Sequence, residues 1–257
     1  MFAKIKPNTH IIGQNIVYFQ RVDSTNTLAL DLLKNKLSEH GTVVIADHQT
    51  SGRGQRNNEW TSHPNENLTF SVILHAVTNT RTHPFNLNKC ITLGLHHFIT
   101  NALPNHEVKI KWPNDIYVNN EKIAGILIEN NYMGQQLQAS VVGIGLNVNQ
   151  SFQNLSHLKA TSFKDLQGFD YDRPLVFRLL LEALDNYFLK LDADQTEAIN
   201  NLFNSNLLGY GVENAFTDNA LTEKYIIKGC DEEGRILLEK DGATKAYLHG
   251  ELKQVIA

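Results

Sequence analysis

The chain has 257 residues, of which 42% are hydrophobic and 19% are charged, and its formal net charge is −4. This length suits one large domain or one domain with a small appendage, and the composition excludes a disordered tail and a coiled coil. The acidic balance argues against a dedicated nucleic-acid surface, although a local basic loop can exist within an acidic average.

The apolar stretches of the chain are too short to cross a membrane. The longest lie at residues 67–77 and 177–184, whereas a membrane-spanning helix needs about 20 apolar residues. The first residues lack the apolar segment of a secretory signal. The two cysteines, Cys90 and Cys230, are too few for a disulfide framework or a CxxC metal site. The sequence therefore predicts a cytoplasmic protein without a membrane partner.

The first quarter of the chain alternates strand and helix patterns. Strands are predicted at residues 16–22 and 42–46, and between them Ser24 begins a helix with apolar residues at helical spacing. Residues 49–67 then form a long loop rich in Gly, Arg, Asn and Ser, without any period. Long loops in compact domains are typically functional or disordered, so this loop is a candidate site.

The middle of the chain continues this mixed pattern. A hairpin is predicted over residues 116–129, and it folds at Asn119 and Asn120, which are typical turn residues. The other elements of this region are predicted as strands at 67–74, 108–112 and 136–149, a helix at 86–102, and mainly helices at 156–204.

The end of the chain changes character after about Leu207. Short strands there are separated by tight-turn residues, such as Asp231–Gly234 and Asp241–Gly242. This pattern predicts a small all-β domain at residues 207–257, which follows a larger domain at residues 1–206.

The loop string QTSGRGQRNNEW, residues 49–60, carries the first candidate chemistry. Arg53 and Arg56 supply positive charge, two glycines let backbone N–H groups approach a ligand, and Trp60 ends the string. Such a loop can wrap a phosphate and stack on a purine, although it lacks the P-loop pattern. The alternative is a mobile, solvated loop with a packed tryptophan.

The second candidate chemistry lies in the hairpin string KIKWPNDIYVNNEKIAGILIE, residues 109–129. Counting back from the Asn119–Asn120 turn places Lys122 opposite Tyr117 or nearby, so Lys111, Asp115 and Lys122 can converge at one end of the sheet. Two ammonium groups beside a carboxylate suit a phosphorylated or carboxylate substrate. The alternative is an ordinary hairpin with surface lysines.

Two further strings are weaker on their own. In VVGIGLNVN, residues 141–149, the glycines do not complete a dinucleotide-binding fingerprint, and they indicate either a flat ligand on the backbone or a bulge. At a strand-to-helix junction, Ser24, Thr25 and Asn26 offer polar groups to a small ligand, but ordinary helix capping explains Ser24 equally well.

Together, and in this order, the strings STN, GRGQRxxxW, KWPNDI with KIAGIL, and GIGLNVN closely resemble the biotin protein ligases, also called biotin–acetyl-CoA-carboxylase ligases. The resemblance covers about residues 16–150, and the β-rich tail is similar to that family's small C-terminal domain. It implies an α+β fold: a mixed β-sheet catalytic domain with flanking helices, plus a small SH3-like β-barrel domain.

The resemblance also implies a two-step reaction. Biotin and ATP, with Mg²⁺ entering on the ATP, first give biotinyl-5′-AMP and pyrophosphate. A lysine of a biotin carboxyl carrier protein, the expected partner, then attacks the mixed anhydride. The alternatives are a lipoate or octanoate ligase and a catalytically silent module that binds biotin or the carrier.

Site residues are implied by the same resemblance. Catalytic roles fall to Lys122 and Arg53, which clamp the reacting carboxylate and phosphate, and to Asp115, which assists deprotonation of the acceptor lysine. The implied biotin-binding positions are Ser24, Thr25, Asn26, Gln49, Gly52, Arg53, Gln55, Lys122, Gly125 and Gly143. The implied ATP-binding positions are Arg53, Arg56, Trp60, Lys111, Asn114, Asp115 and Asn147. No residue is assigned as a metal ligand.

The chain departs from the family pattern in its loop and at its start. Gln55 and Asn58 stand where the commonest loop form has arginines, which places retention of the adenylate in question. The first core strand is predicted near residue 16, too early for the helix-turn-helix domain of relatives that double as repressors, so we expect no operator DNA binding. Relatives often form homodimers by pairing edge strands, and the sequence leaves the oligomeric state open.

Overall fold

The computed structural model describes residues 2–56, 58–76, 80, 83–155, 158–192, 195–218 and 220–256. Seven strands form one mixed sheet in the order β1-β2-β3-β7-β6-β5-β4. The first two strands pair in parallel and the other neighbours are antiparallel. The strands are β1 (Ile16–Phe19), β2 (Val43–Ala46), β3 (Leu68–His75), β4 (Val108–Lys111), β5 (Asp115–Val118), β6 (Glu121–Met133) and β7 (Gln136–Leu146).

Helices cover both faces of this sheet. On one face, α1 packs through Ala29 against Val44 and Val141. On the other face lies the main hydrophobic core, which includes Val43 and Ile45 of the same β2 strand, because successive strand residues point to opposite faces. The helices are α1 (Thr25–Lys34), α2 (Phe85–Ala102), α3 (Phe163–Gln167), α4 (Arg173–Asp192) and α5 (Thr196–Ser205).

A second, five-stranded antiparallel sheet follows, in the order β11-β10-β9-β8-β12. It forms the small β unit that the sequence predicted, and over the described residues its order is that of an open sheet. Its strands are β8 (Glu213–Thr217), β9 (Thr222–Cys230), β10 (Ile236–Lys240), β11 (Ala243–Tyr247) and β12 (Lys253–Gln254).

Polar contacts fix this second sheet against the first part of the chain. The indole Nε1 of Trp112 donates to the backbone oxygen of Gly234 at 3.0 Å. The buried Lys89 of α2 donates to the backbone oxygen of Asp231 at 3.0 Å and to Asn200 at 2.8 Å. The predicted division at residue 207 lies between α5 and β8, and the independence of the two domains stays a prediction.

The elements agree with the sequence predictions except at their ends. The predicted strand at 16–22 ends at Phe19, and the predicted strand at 136–149 ends at Leu146. Among the described residues, no helix combines the length and apolar character needed to span a membrane.

Candidate active site

A cavity of about 400 Å³ opens on the α1 face of the large sheet, between the 49–60 loop and the second sheet. The residues that line it include nearly all of the predicted site residues: Ser24, Thr25, Asn26, Gln49, Arg53, Gln55, Arg56, Trp60, Lys111, Asn114, Asp115, Lys122, Gly125 and Gly143. Of the predicted set, Gly52 and Asn147 are not part of the lining.

The lysine of the hairpin reaches this cavity because β6 contains a bulge. Lys122 pairs with Tyr117, as predicted, and Asp115 pairs with Gly125, so Ile123 is an extra residue in β6. Without the extra residue, strict alternation would turn the Lys122 side chain to the core face, beside Ala124. The turn before it has positive φ at Asn119 and Asn120 (49° and 69°), as a two-residue hairpin turn of type I′ requires.

Lys122, Asp115 and Lys111 converge at this end of the sheet. Lys122 Nζ lies 2.8 Å from Asp115 Oδ1, and Lys111 pairs with Asp115 across the β4–β5 ladder. Burial lowers the pKa of Lys111 below its ordinary value, and the nearby charges of Lys122 and Lys253 lower it further, while Asp115 opposes them. An anion bound here would relieve the repulsion among these ammonium groups.

Arg53 enters the same cavity from the loop, but its guanidinium is paired. Its Nη2 lies 2.7 Å from Glu129 Oε1 and its Nη1 donates to Glu129 Oε2 at 3.1 Å. Asn26 Nδ2 donates to the same Oε2 at 2.9 Å. Glu129 was not among the residues predicted from the sequence. It follows Gly125 by four residues in the same strand, so its alternation in phase with Gly125 was the signal available.

Glycines of β7 open the surface on which Asn26 and Trp60 rest. A Cβ atom at Gly143 would lie 2.2 Å from Asn26 Oδ1, and one at Gly145 would lie 2.2 Å from the Trp60 ring. These glycines therefore serve close approach rather than a bulge, since the β6–β7 register is regular from Ala124 to Asn131. Trp60 Nε1 is buried, and none of the described residues accepts a hydrogen bond from it.

A polar network lies at the start of α1. Thr25 donates to Gln49 Oε1 from its backbone N–H at 2.8 Å and from its hydroxyl at 3.0 Å. Ser71 Oγ, from β3, donates to Asn26 Oδ1 at 2.6 Å. Ser24 is the N-cap residue of α1, but its side chain makes no capping hydrogen bond. Ordinary capping therefore does not account for the Ser24 hydroxyl, which lines the cavity.

The two predicted residues outside the lining support it from behind. The Asn147 backbone N–H donates to Ile123 O at 2.9 Å and its side-chain amide donates to Thr161 O at 2.9 Å, so Asn147 braces the bulge beside Lys122. The backbone oxygen of Gly52 accepts from Trp60 N at 3.0 Å. A Cβ atom at Gly52 would lie 2.2 Å from Trp60 O, so close packing of the loop requires glycine there.

The tail sheet contributes a second wall that was not predicted from the sequence. Arg56 donates to the backbone oxygen of His249, and the His249 ring packs edge-on against Trp112 at 5.4 Å between centroids. Burial lowers the pKa of His249, and the charges of Arg56 and Lys111 lower it further. The lining residues from this part of the chain are Phe216, Thr217, Ile236, His249, Gly250, Glu251, Leu252, Lys253 and Gln254.

The loop itself is folded back as a narrow turn. Gly54 N donates to Asn58 O at 2.7 Å, and Arg53 and Glu59 form an isolated antiparallel bridge. Gln55 and Asn58, the two departures from the family pattern, both line the cavity. Among the described residues, no group of three or more His, Cys, Asp and Glu side chains is placed to hold a metal ion.

Comparison with known proteins agrees with this geometry. A family model described as the biotin/lipoate A/B protein ligase family matches residues 18–147. The Bacillus subtilis bifunctional ligase/repressor BirA is 32% identical over 244 residues, which span 93% of this chain and 74% of that protein. The biotin–[acetyl-CoA-carboxylase] ligase of Paracoccus denitrificans is 36% identical over 129 residues, 50% of this chain and 52% of that protein.

Among solved structures, the biotin protein ligase of Aquifex aeolicus in complex with biotin and ATP superposes with a TM-score of 0.77 at 26% identity. The match covers 95% of this chain and 100% of that one. The shared fold includes both the mixed sheet and the tail sheet that together enclose the cavity. The chain therefore belongs to the biotin/lipoate A/B protein ligase family.

Proposed function

We propose that this chain is a biotin protein ligase, which activates biotin with ATP and transfers it to a lysine of a biotin carboxyl carrier protein. The observation that carries the proposal is one shared cavity. Lys122 from β6, Arg53 and Trp60 from the loop, and Asn26 from α1 all line it, although they come from three separate segments.

The first step joins two anions, the biotin carboxylate and the α-phosphate of ATP. The repulsion of two unit charges about 4 Å apart is about 1 kcal/mol in water and several times larger in a drier site. Lys122 and Arg53 supply the opposing charge where the carboxylate attacks and pyrophosphate leaves. Positioning of the two substrates supplies much of the remaining acceleration, so no protein nucleophile is needed.

We assign the two ends of the cavity to the two substrates. Biotin lies against Gly143 and the α1 network, where Thr25, Asn26 and Gln49 offer hydrogen-bonding groups to its ring. The nucleotide lies at the other end, with adenine against Trp60 and phosphates near Lys111. The buried Trp60 N–H, which donates to none of the described residues, supports a polar ligand atom beside that ring. We write Mg²⁺ as part of the MgATP substrate.

The second step needs a neutral amine on the acceptor lysine. Its nitrogen attacks the biotinyl carbonyl, the bond to the AMP oxygen breaks, and a proton leaves the nitrogen. Asp115 is the candidate to assist the loss of that proton, because it is a carboxylate that lines the cavity in which the adenylate forms. The loop lines this cavity, and we expect it to shield the adenylate from water.

Transfer of labelled biotin to a purified carrier domain, with and without ATP, tests the proposal. We expect labelling of the carrier lysine only when ATP is present. Pyrophosphate release measured with biotin, lipoate or octanoate as the acid then fixes the substrate, and biotin should give the fastest release. Release driven by lipoate or octanoate instead, or binding of biotin without any pyrophosphate, would contradict it.

The acceptor protein is inferred from the relatives. Two curated relatives are named as ligases of acetyl-CoA carboxylase, and we propose the biotin carrier of that enzyme as the acceptor. The expectation that the chain binds no operator DNA stays a prediction, which a gel-shift at physiological salt tests. Sedimentation of the pure protein decides between a monomer and a homodimer.

A further inference from the structure

We propose that Glu129 is a positioning residue for the activation step. It holds Arg53 and Asn26 in a fixed orientation at the place where the carboxylate end of biotin binds. This inference rests on the proposed ligase function. Glu129 is not among the residues that line the cavity. It lies behind two residues that do, and it contacts both of them.

Both oxygens of the Glu129 carboxylate are engaged. Oε1 accepts from Arg53 Nη2 at 2.7 Å, while Oε2 accepts from Arg53 Nη1 at 3.1 Å and from Asn26 Nδ2 at 2.9 Å. A carboxylate that receives two parallel N–H groups fixes the plane of a guanidinium as well as its distance. The Arg53 guanidinium therefore has a defined orientation before any substrate arrives.

The same carboxylate determines which way the Asn26 amide points. A carboxylate only accepts hydrogen bonds, so the NH₂ group of Asn26 must face Glu129. The Asn26 oxygen then faces Ser71 Oγ, which donates to it at 2.6 Å, and the space above Gly143. Glu129 thus fixes an acceptor at the proposed biotin end and a cation beside it.

The arrangement saves conformational entropy when the substrates bind. A free arginine side chain has many rotamers and loses their entropy when it is fixed, and Arg53 sits on a loop with 46% of its side chain exposed. The β6 strand that carries Glu129 is paired there with β7, where Glu129 lies opposite Val141. Glu129, on a paired strand, therefore restricts the conformations of Arg53 on the loop.

The test measures biotin-dependent pyrophosphate release by Glu129→Ala and Glu129→Gln, with separate KM values for biotin and ATP. We expect Glu129→Ala to lower kcat/KM for biotin about tenfold, the size expected for loss of a charge-assisted hydrogen bond. The KM for ATP should change much less. Glu129→Gln keeps one acceptor oxygen and should recover part of the loss.

A matched control is available in the tail sheet. Glu239 also lies on a strand, has 27% of its side chain exposed against 23% for Glu129, and pairs with Lys228 at 3.3 Å outside the cavity. Glu239→Ala should leave both KM values unchanged. Its thermal unfolding midpoint is the reference for folding of the Glu129 variants, and Glu129→Gln serves if Glu129→Ala does not fold.

A double-mutant cycle with Arg53→Ala separates positioning from a general structural role. We expect Glu129→Ala to cost far less in the Arg53→Ala background, because one of its two partners is already gone. Equal losses in both backgrounds, or an increase in activation when Glu129 is removed, would overturn the inference. If the unaltered protein itself releases no pyrophosphate with biotin, the proposed ligase function fails instead.

Discussion

The cavity has two walls of different construction. We call one the floor: Asn26 of α1, Asp115 of β5, Lys122 and Gly125 of β6, and Gly143 and Gly145 of β7. We call the other the rim: residues 54–56 and 58–60 of the loop and residues 249–252 of the tail. The floor is part of a hydrogen-bonded sheet over a hydrophobic core. The rim consists of two irregular segments, which touch where Arg56 donates to His249 O.

Because of this difference in construction, we expect the two walls to have different roles. Strands held by ladders on both sides keep charges and acceptors at fixed places, which is what charge stabilisation in a transition state requires. Irregular segments open and close more easily, and the nucleotide and the acceptor lysine need such movement in order to enter the cavity. Changes to the charged residues of the floor should therefore affect activation itself, whereas changes to the rim should affect retention of ligands.

The largest effect should come from the cation on the floor. Lys122→Ala removes the charge beside the reacting carboxylate and phosphate, and we expect activation to fall by about two to four orders of magnitude. Pyrophosphate release measures it. Lys164→Ala is the matched control, because Lys164 also pairs with an aspartate at 2.8 Å but lies outside the cavity. Similar rates for both variants would mean that the floor does not carry the charge stabilisation.

Two glycines of the floor should separate the two substrates. Gly143→Ala places a methyl group against Asn26, and Gly145→Ala places one against Trp60, each 2.2 Å from its neighbour if nothing shifts. The first should raise KM for biotin and the second KM for ATP, each about tenfold or more because overpacking costs about 1–3 kcal/mol. Each variant is the control for the other. An identical pattern in both would contradict the assignment of the two ends.

A smaller effect is expected at the rim. Arg56→Ala removes the contact between the loop and the tail, and we expect KM for ATP to rise several-fold, with more biotinyl-5′-AMP lost to water. Quantification of free adenylate by chromatography measures the leak. Arg178→Ala, which breaks an ion pair with Glu182 on α4, is the control. A large fall in kcat without any release of biotinyl-5′-AMP would instead mean that Arg56 acts in activation, like the charged residues of the floor.

The smallest effect lies outside both walls and concerns stability. Burial lowers the pKa of His96 on α2 below its ordinary value of 6.5, and its Nε2 lies 3.1 Å from Val108 O. The folded state therefore binds fewer protons than the unfolded state below pH 6.5, so stability should fall as the pH drops through that value. Thermal unfolding at pH 7 and pH 5 checks this. His96→Gln should weaken the dependence, and an unchanged dependence would contradict it.

The floor could be predicted from sequence because its residues belong to short, continuous strings. The Asn119–Asn120 turn and the alternation of the strands were sufficient to place Lys122 opposite Tyr117, and the register agrees. The bulge at Ile123 was not visible, because an extra residue in a ladder depends on the partner strand. Glu129 was missed because in a strand pattern a single charged residue reads as a solvent-facing position.

The rim could not be predicted in full. The loop was recognisable from its glycines and arginines, but its contact in the tail lies 193 positions away in the chain. Nothing in the tail string indicates a ligand, because its turns and short strands are those of any small β unit. Contacts over such separations are set by the docking of Trp112 on Gly234 and of Lys89 on Asp231.

Gly250 couples the sequence of the loop to that of the tail, because the two segments pack against each other there. Its φ is 91°, and a Cβ atom there would lie 1.7 Å from the Arg56 guanidinium. Any side chain at residue 250 would displace that guanidinium. A chimera that takes the arginine-richer loop of another ligase should therefore also take the matching turn of its C-terminal sheet, since the two segments contact each other at Arg56 and Gly250.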